Sequence, residues 1–392
     1  MDEKSGKKKK IPKKLKIFLS AVLTVIAVLL IVMTAALKLG NVTVTTFTSN
    51  VKAYFMQMGS GDGYPYDIDA DSVKDINIYN TNLFLLLDDK TTVLTSTAKE
   101  IMPKKHTFIN PAMNAKDGRV IVYDLDSGNF RIQKSSEIIH EGSMQNRILA
   151  AAIGRKGNYA LGTVGDNVMS VLTVFGDDNK EDFIWNFPSE RISDISLSDN
   201  GKYAAVSTVF SENGKMSSKV YVLSFSSEEY VSCTDFKSSV ILNVDYSRDN
   251  DVVVIGDNIR SYISNGKTRK KDVSFSSDVL HNYCMTENGR SANVISKYGS
   301  ASLSSLSVYS DTGKVQFGVD FDKEVKWLAL GDKYTAVLFE NEVRTYNKKG
   351  KQVGSIGFTG EPLKVAVDGS KIYVLTSVSL QCYNAKGSQK AD

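Results

Sequence analysis

Alternating carboxylates are the first residues whose spacing could support metal chemistry. The stretch "DIDADS" places Asp67, Asp69 and Asp71 at every second position. A calcium loop of the EF-hand type needs Gly at its sixth position and Glu at its twelfth, where this sequence has Ser72 and Ile78. Residues two apart lie on one face of a β-strand, so the pattern favours a strand with a solvated face. We predict no metal-ligating residue.

The histidines and cysteines are too scattered to predict a metal or nucleophile site. The chain has three of each, without a CxxC pair and without ligand-like helical spacing. A sparse, odd number of cysteines does not indicate a disulfide framework, so we expect small buried side chains in strands. We expect the histidines at exposed or core-edge positions. The six residues are His106, His140, His281, Cys233, Cys284 and Cys382.

Paired carboxylates suit glycosidase chemistry, because one can protonate the leaving group while the other acts as base or nucleophile. The sequence offers Asp177-Asp178 and Glu228-Glu229, which we expect in charged outer loops. The glycines of "GSGDG" at 59–63 lack the strand-to-helix context of a phosphate-binding loop, and no GxSxG motif occurs. We therefore predict no catalytic and no cofactor-binding residue, and whether the protein is an enzyme stays open.

The sequence contains a repeated β-module, which would position any functional side chains in the loops. Short apolar strands alternate with bends at Gly, Asn or Asp, and related stretches recur: "GRKGNYALGTV" at 154–164, "SDNGKYAAVST" at 198–208 and "TENGRSANVIS" at 286–296. A period of about 40 residues with about four strands per unit is typical of β-propeller blades. We place the unit starts near Val73, Phe108, Arg147, Ile192, Val240, Val279, Val325 and Leu363.

The last unit predicts how the ring closes. From Leu363 it supplies only three strands, "LKVAV", "KIYVLTS" and "SLQCYN". We expect the missing outer strand from residues 43–70, since closing the ring covers both faces of every sheet. The prediction is an all-β chain folded as an eight-bladed propeller over residues 73–386. Seven blades are the alternative if 73–107 is irregular.

The segment "IFLSAVLTVIAVLLIVMTAAL" at 17–37 is predicted to be a transmembrane helix. It has 21 residues without a charge, and at about 1.5 Å per residue such a helix spans the hydrocarbon core. A cleaved signal peptide is the alternative, but its apolar region would be only about 7–15 residues long. The predicted division is a Lys-rich tail at 1–16, the helix at 17–37, a linker with the closing strand at 38–72, the propeller at 73–386 and a polar tail at 387–392.

The charge distribution predicts the orientation of this anchor. Residues 1–16 contain eight Lys and two acidic residues, and Lys38 is the only charge just beyond the helix. The positive-inside rule then keeps the N-terminus in the cytoplasm and exports residues 38–392, as in a single-pass protein of the cell membrane with an extracellular C-terminal domain. That domain has 40 basic and 42 acidic residues, which does not favour a nucleic-acid partner. We expect it to be monomeric.

Three stretches carry a resemblance to a known family: "GDGYPYDIDADSV" at 61–73, "HTFINPAMNAKDGRVIVYDLDSGNFRI" at 106–132 and "ILAAAIGRKGNYALGTV" at 148–164. They resemble an uncharacterised family, a domain of unknown function, of membrane-anchored propeller-like proteins in Gram-positive, Clostridia-type bacteria. The resemblance implies a WD40-like propeller, a single anchor and an outward-facing domain, but no active-site residues. "DTGKVQF" at 311–317 resembles a quinoprotein hairpin in which Phe317 replaces the usual Trp, so no quinone cofactor is predicted.

The sequence thus predicts a membrane-anchored extracytoplasmic propeller that acts as a binding or scaffold module at the cell envelope. Its partners would be the membrane, through residues 17–37, and a protein or glycan that the sequence does not identify. Propeller loops share no recognition code, so the partner has to be inferred from the geometry and chemistry of the site. The alternative is an envelope glycan hydrolase or lyase with carboxylates at the mouth of the central channel.

Overall fold

The computed structural model describes residues 60–79, 82–134, 137–247, 251–264, 270–275, 278–297, 300 and 302–387. The expected cytoplasmic tail at 1–16 and transmembrane helix at 17–37 lie outside these residues. Within the described residues, no helix has the length and apolar character that crossing a membrane requires.

Eight four-stranded antiparallel sheets make up the described chain, which confirms the prediction of an all-β, eight-bladed propeller. In blades 1 to 7 the four strands follow one another in sequence order from the innermost to the outermost. The first four blades consist of β2 (Val73–Tyr79), β3 (Asn82–Leu87), β4 (Lys90–Leu94) and β5 (Glu100–Lys105); β6 (Pro111–Lys116), β7 (Arg119–Asp124), β8 (Asn129–Lys134) and β9 (Glu137–Ser143); β10 (Ile148–Ile153), β11 (Tyr159–Val164), β12 (Ser170–Phe175) and β13 (Glu181–Phe187); β14 (Arg191–Leu197), β15 (Tyr203–Glu212), β16 (Lys215–Ser224) and β17 (Tyr230–Phe236).

The second half of the ring repeats this arrangement, and each blade begins within three residues of the unit start that the sequence predicts. Its strands are β18 (Ile241–Tyr246), β19 (Val252–Gly256), β20 (Ile259–Ile263) and β21 (Lys270–Ser274); β22 (Val279–Met285), β23 (Ser291–Ser296), β24 (Ser304–Tyr309) and β25 (Val315–Phe321); β26 (Trp327–Leu330), β27 (Tyr334–Leu338), β28 (Glu342–Asn347) and β29 (Gln352–Gly357); β30 (Pro362–Asp368), β31 (Lys371–Thr376) and β32 (Ser379–Asn384).

Blade 8 takes its outermost strand from the start of the described chain. Strand β1 (Tyr66–Asp67) pairs with β32, with Tyr66 opposite Leu380 and Asp67 opposite Ser379. Lys364 of β30 then joins blade 8 to blade 1, since its Nζ donates to Lys74 O at 2.7 Å and to Asp75 Oδ1 at 3.0 Å. The ring is therefore closed both by a shared sheet and by contacts between its first and last inner strands.

The expected continuous strand through Asp67, Asp69 and Asp71 is wrong beyond Asp67. Residues Ala70–Ser72 form one turn of 3₁₀ helix. Both the backbone N–H and the hydroxyl of Ser72 donate to Asp69 O, at 3.2 and 2.6 Å. These bonds turn the chain from the outer edge of blade 8 into blade 1, which a straight strand would not do.

The second strand of a blade belongs to the hydrophobic core because neighbouring blades cover both of its faces. In β3, "NLFLLL", all six residues are buried, and Leu83, Phe84, Leu85 and Leu86 have no exposed surface. A strand that packs against a neighbour on each face reads as an unbroken apolar run rather than an alternation. Burying each such leucine contributes about 1.5–3 kcal/mol, so the stacking of blades dominates the stability of the ring.

The turn between the first two strands of blade 2 shows why Gly recurs in the repeats. Asp117 has a φ of 47° and Gly118 a φ of 76°. Two consecutive positive φ angles make a tight hairpin whose twist matches its strands, and Gly or Asp accepts such angles at low cost. The repeated bends therefore mark turns at one end of the ring.

Candidate functional site

The innermost strands of all eight blades line a cavity of about 540 Å³ in the centre of the ring. Most of its wall consists of aliphatic side chains, alanines and amides such as Asn77, Asn114 and Asn243. The bonds from Asp194 to Val244 and from Ser196 to Tyr246 advance together along β14 and β18, so these two neighbouring inner strands are parallel. We call the end formed by the turns that follow the inner strands the base, and the opposite end the mouth.

Polar side chains of the inner strands bond to the backbone of the next blade. Asp194 Oδ2 accepts the Val244 N–H at 2.8 Å, and Ser196 Oγ accepts the Tyr246 N–H at 3.1 Å. Strand β18 has a neighbouring strand on one side only, so these donors lie on an otherwise open edge. Each side chain therefore satisfies a backbone group that the sheet leaves unpaired and holds blades 4 and 5 in register.

The carboxyl of Asp194 lies at the contact between blades 4 and 5, and its pKa is well above the ordinary value for Asp. Burial raises its pKa to about 7, although the Val244 N–H and the Asn243 amide, 2.7 Å from Oδ2, act in the opposite direction. Asp245 adds to the rise because it is a second carboxylate nearby. Asp194 is not part of the cavity lining, since its carboxyl is turned into the contact between two blades.

Lys116 binds three blades together at the base. Its ammonium lies 3.1 Å from Leu197 O, 3.4 Å from Asp199 Oδ1 and 3.8 Å from Asp245 Oδ1. Only 6% of its side chain is exposed. Blade 2 supplies the lysine, blade 4 the carbonyl and Asp199, and blade 5 Asp245, so a buried charge is compensated entirely from neighbouring blades.

A second cation extends this network across the base. Arg155 of blade 3 lies 2.9 Å from Asp199, 3.6 Å from Asp117 and 3.6 Å from Glu287 of blade 6. The backbone N–H of Asp117 also lies 3.4 Å from both carboxylate oxygens of Glu287. Blades 2 and 6 are opposite each other in a ring of eight, so the base is bridged across its diameter. Burial raises the pKa of Glu287 and of Asp245.

The mouth carries an aromatic ring and charged groups that are less enclosed. Lys364 Nζ lies 5.1 Å from the centre of the Trp327 ring and 3.0 Å from Asp75 Oδ1. Lys326 pairs with Glu324 at 3.0 Å on the adjacent loop. A ligand that enters from this end would therefore meet the indole of Trp327 and both signs of charge before the inner part of the channel.

The histidines do not converge. His106 is buried with its Nε2 3.2 Å from Leu87 O, and burial lowers its pKa. His140 packs between the rings of Phe130 and Tyr159, and His281 is exposed on β22. Among the residues that the structure describes, no group of three or more His, Cys, Asp or Glu side chains could hold a metal ion.

The three cysteines form no disulfide and lie in separate strands, Cys233 in β17, Cys284 in β22 and Cys382 in β32. Cys284 belongs to the channel wall, where burial raises its pKa to about 12 and so disfavours the nucleophilic thiolate. The acidic pairs Asp177-Asp178 and Glu228-Glu229 occupy exposed turns between the outer strands of blades 3 and 4. The structure places them at the rim of the ring, away from the channel.

Sequence reasoning missed the polar residues of the inner strands. Register shifts interrupt the first strand pair in six blades, and a polar residue follows the shift in five of them. A polar residue near the start of the inner strand, such as Asp194 in "RISDIS", gives only a weak signal, because these strands contain other polar residues as well. The five residues are Asp75, Asp194, Asn243, Asn282 and Lys364.

Comparison with protein families agrees with this architecture. The model described as "Family of unknown function (DUF5711)" matches residues 63–338 and 305–392. The chain belongs to this family. No curated protein matches the chain.

Solved structures share the propeller fold with this member of the family. A eukaryotic initiation factor is 9% identical, covers 81% of this chain and 87% of its own, and has a TM-score of 0.57. The C-terminal WD40 domain of Sif2 is 11% identical over 82% of this chain and 99% of its own, with a TM-score of 0.56. BamB from Moraxella catarrhalis is 9% identical over 80% and 98%, with a TM-score of 0.52. Identities this low show the fold alone.

Proposed function

We propose that this chain is an extracytoplasmic binding module of the cell envelope, anchored by residues 17–37, and that the central channel holds its ligand. The observation that carries the proposal is the cavity of about 540 Å³ at the centre of a closed ring. A concave cavity with convergent polar groups is the usual form of a small-ligand site, and this one exposes more polar than apolar surface to its interior. The partner class expected from the sequence is a protein or a glycan.

The two ends of the channel support entry through the mouth. Lys116 and Arg155 tie the base across several blades, so opening that end would separate buried charges. At the mouth, the Trp327 indole lies beside the Lys364 ammonium, which is bonded to Lys74 O and to Asp75. A glycan ring or the end of a peptide would stack on the indole and donate to the amides of Asn77 and Asn114 farther along the wall.

Photo-crosslinking tests the ligand site in the native cells. A photoreactive residue replacing Asn77 in the channel should capture a ligand, seen as a mass shift of the purified full chain, whereas one replacing Val315 on an exposed outer strand should not. Ala329→Trp narrows the cavity and should abolish the adduct, while the matched Val378→Trp on an exposed turn should leave it unchanged. Equal labelling at both positions would contradict a channel site.

A reporter experiment tests the location independently. The lysines at 1–16 and the uncharged segment at 17–37 support a cytoplasmic N-terminus and an exported propeller, as does the resemblance to membrane-anchored proteins of Clostridia-type bacteria. Alkaline phosphatase fused after residue 392 should be active, because it folds only outside the cytoplasm. Deleting residues 1–37 should leave the fusion inactive inside the cell. Phosphatase activity that survives this deletion would contradict the anchor.

A glycan hydrolase or lyase is the second candidate, favoured by two carboxyls of the cavity. Burial raises the pKa of Asp245 and of Glu287, and a raised pKa is what a general acid needs. Both lie toward the base rather than at the mouth. If the protein cleaves cell-wall glycan, release of new reducing ends should disappear in both Asp245→Asn and Glu287→Gln. A wild-type protein that releases none would leave binding as the function.

A further inference from the structure

A groove on the outer surface lies between blades 3 and 4, remote from the channel. Strand β13 forms one wall and the turn between β16 and β17 forms the other. Its volume is about 620 Å³. We call it the rim groove, and it consists of residues 182–186 and 225–228.

Aromatic side chains form the floor of the rim groove. The rings of Phe183 and Trp185 are nearly parallel, with centroids 6.2 Å apart and an interplanar angle of 19°. Phe225 packs 5.4 Å from Phe183 across the blade boundary. All three are partly buried, because they also pack against the core between blades 3 and 4. An apolar surface of this kind, bounded by polar residues, is typical of an interaction site.

Six exposed carboxylates lie in or near the two segments that form the groove, and Asp182 and Glu228 are the two that line it. Lys180 is bonded to Asp178 at 2.6 Å. Asp177 lies on the side of Arg119, since a Cβ on Gly157 would meet both side chains. A Cβ on Gly176 would meet Asp182 Oδ2 at 2.8 Å and Asp178 Oδ1 at 3.0 Å, so these two carboxylates converge on one point. The surface therefore complements a cation. The six are Asp177, Asp178, Glu181, Asp182, Glu228 and Glu229.

Strand β13 is also the outer edge of its sheet. Among the described residues it pairs with β12 alone. Alternate backbone N–H and C=O groups of an edge strand point away from the sheet, and an extended peptide can add to them as a further strand. The groove thus combines a backbone edge, an aromatic floor and two carboxylates, those of Asp182 and Glu228.

We propose that the rim groove docks an extended, Lys- and Arg-rich segment of a partner protein. Apolar side chains of the segment rest on Phe183, Trp185 and Phe225, and its cations lie over the indole and against Asp182 and Glu228. This surface shares no residue with the channel, so the inference goes beyond the proposed function. Its failure would leave the channel ligand untouched.

Peptide binding to the full chain in detergent tests the proposal. One set of fluorescent 12-residue peptides alternates Lys or Arg with Val, Phe or Leu, and a matched set carries Glu or Asp in place of the cations. We expect the basic set to bind, the acidic set not to bind, and binding to weaken as salt is added. The double variant Asp182→Asn/Glu228→Gln should lose at least about tenfold in affinity, as expected when two charge-assisted contacts disappear.

Matched variants separate docking from folding. Trp185→Ala should also lose affinity at least about tenfold, while the conservative Trp185→Phe should keep most of it. Glu212→Gln removes an exposed carboxylate from the turn at the opposite end of blade 4 and should bind like the wild type. Unchanged circular dichroism of every variant would show that the blades remain intact.

Three results would overturn the proposal. The first is a basic peptide set with no binding member, and the second is equal affinity for wild type and the double variant. The third is a different occupant: a neutral oligosaccharide whose binding Trp185→Ala abolishes, or a concentration-dependent dimer that this variant disrupts. Salt-sensitive binding of basic peptides that depends on both Asp182 and Trp185 would establish it.

Discussion

Carboxylates at the centre of the ring and carboxylates at its rim have the same chemistry but different surroundings. Asp194 and Asp245 are bonded by groups from other blades, so these two carboxyls position the sheets relative to one another. Asp182 and Glu228 stand in exposed segments beside an aromatic floor. The comparison indicates that central polar residues hold the ring together, whereas the rim carries groups that a partner can reach.

The largest effect that would test this difference is expected for Lys116→Met. Removing the ammonium leaves Asp245 and Asp199 without their shared cation in a buried network, and breaking such a network costs about 3–5 kcal/mol. Urea unfolding of the full chain in detergent, followed by circular dichroism, measures the loss. Lys180→Met breaks a fully exposed pair at the rim and should leave the free energy of unfolding nearly unchanged. Similar losses for both lysines would contradict the distinction.

Ser196→Ala should have the next largest effect. It removes the acceptor of the Tyr246 N–H and the hydroxyl that donates to Asp245 Oδ1 at 2.7 Å. Leaving buried groups unpaired in this way costs about 1–3 kcal/mol, measured by the same urea titration. Ser226→Ala in the exposed wall of the rim groove is the control and should change stability by less than about 0.5 kcal/mol. A neutral Ser196→Ala would show that the bond between blades is dispensable.

Asp194→Asn should change the pH dependence of stability. The folded pKa of about 7 is above the ordinary value for Asp, so the folded state binds the proton more tightly than the unfolded state. This contribution is complete at low pH and is lost as pH rises toward 7, with a slope of at most about 1.4 kcal/mol per unit. The variant should lose that slope between about pH 4 and 7. Parallel stability curves for both proteins would refute it.

The smallest effect is expected for Asp182→Asn at the rim. The substitution removes an exposed charge that converges with Asp178 on Gly176. Relief of like-charge repulsion should stabilise the chain slightly, by less than about 0.5 kcal/mol. A thermal melt beside wild type measures this change. Destabilisation comparable to that of Ser196→Ala would mean that the rim carboxylates are structural as well.

Much of the fold was predictable because the strands and turns of each blade depend on residues that are close together in sequence. The unit starts from Val73 to Leu363 follow from apolar alternation between bends, and the bends need residues that accept a positive φ, as Gly118 does. Eight units at similar spacing leave few architectures other than a propeller. The short 3₁₀ turn at Ala70–Ser72 was not predictable from alternation, because hydrogen bonds of Ser72 override it.

The candidate sites were not predictable for the opposite reason. Lys116 and the Leu197 carbonyl are 81 residues apart in sequence, and Asp117 and Glu287 are 170 apart. Nothing local in "NAKDG" or "TENG" indicates that these turns meet across a ring. Phe183 and Phe225 likewise become neighbours only when blade 4 stacks on blade 3.

The sequence by itself determined the β-module, its repetition and the apolar strands that force the modules to stack, since these depend on periodicity and turn chemistry within about 40 residues. Tertiary structure alone decided which polar groups pair. Closing the ring brings the inner strands of every blade to one axis. Charged side chains that are far apart in sequence then lie close together, and each one either pairs with another or stays exposed to water. Lys116 pairs with carboxylates at the centre of the ring, whereas the carboxylates beside Trp185 remain exposed at the surface.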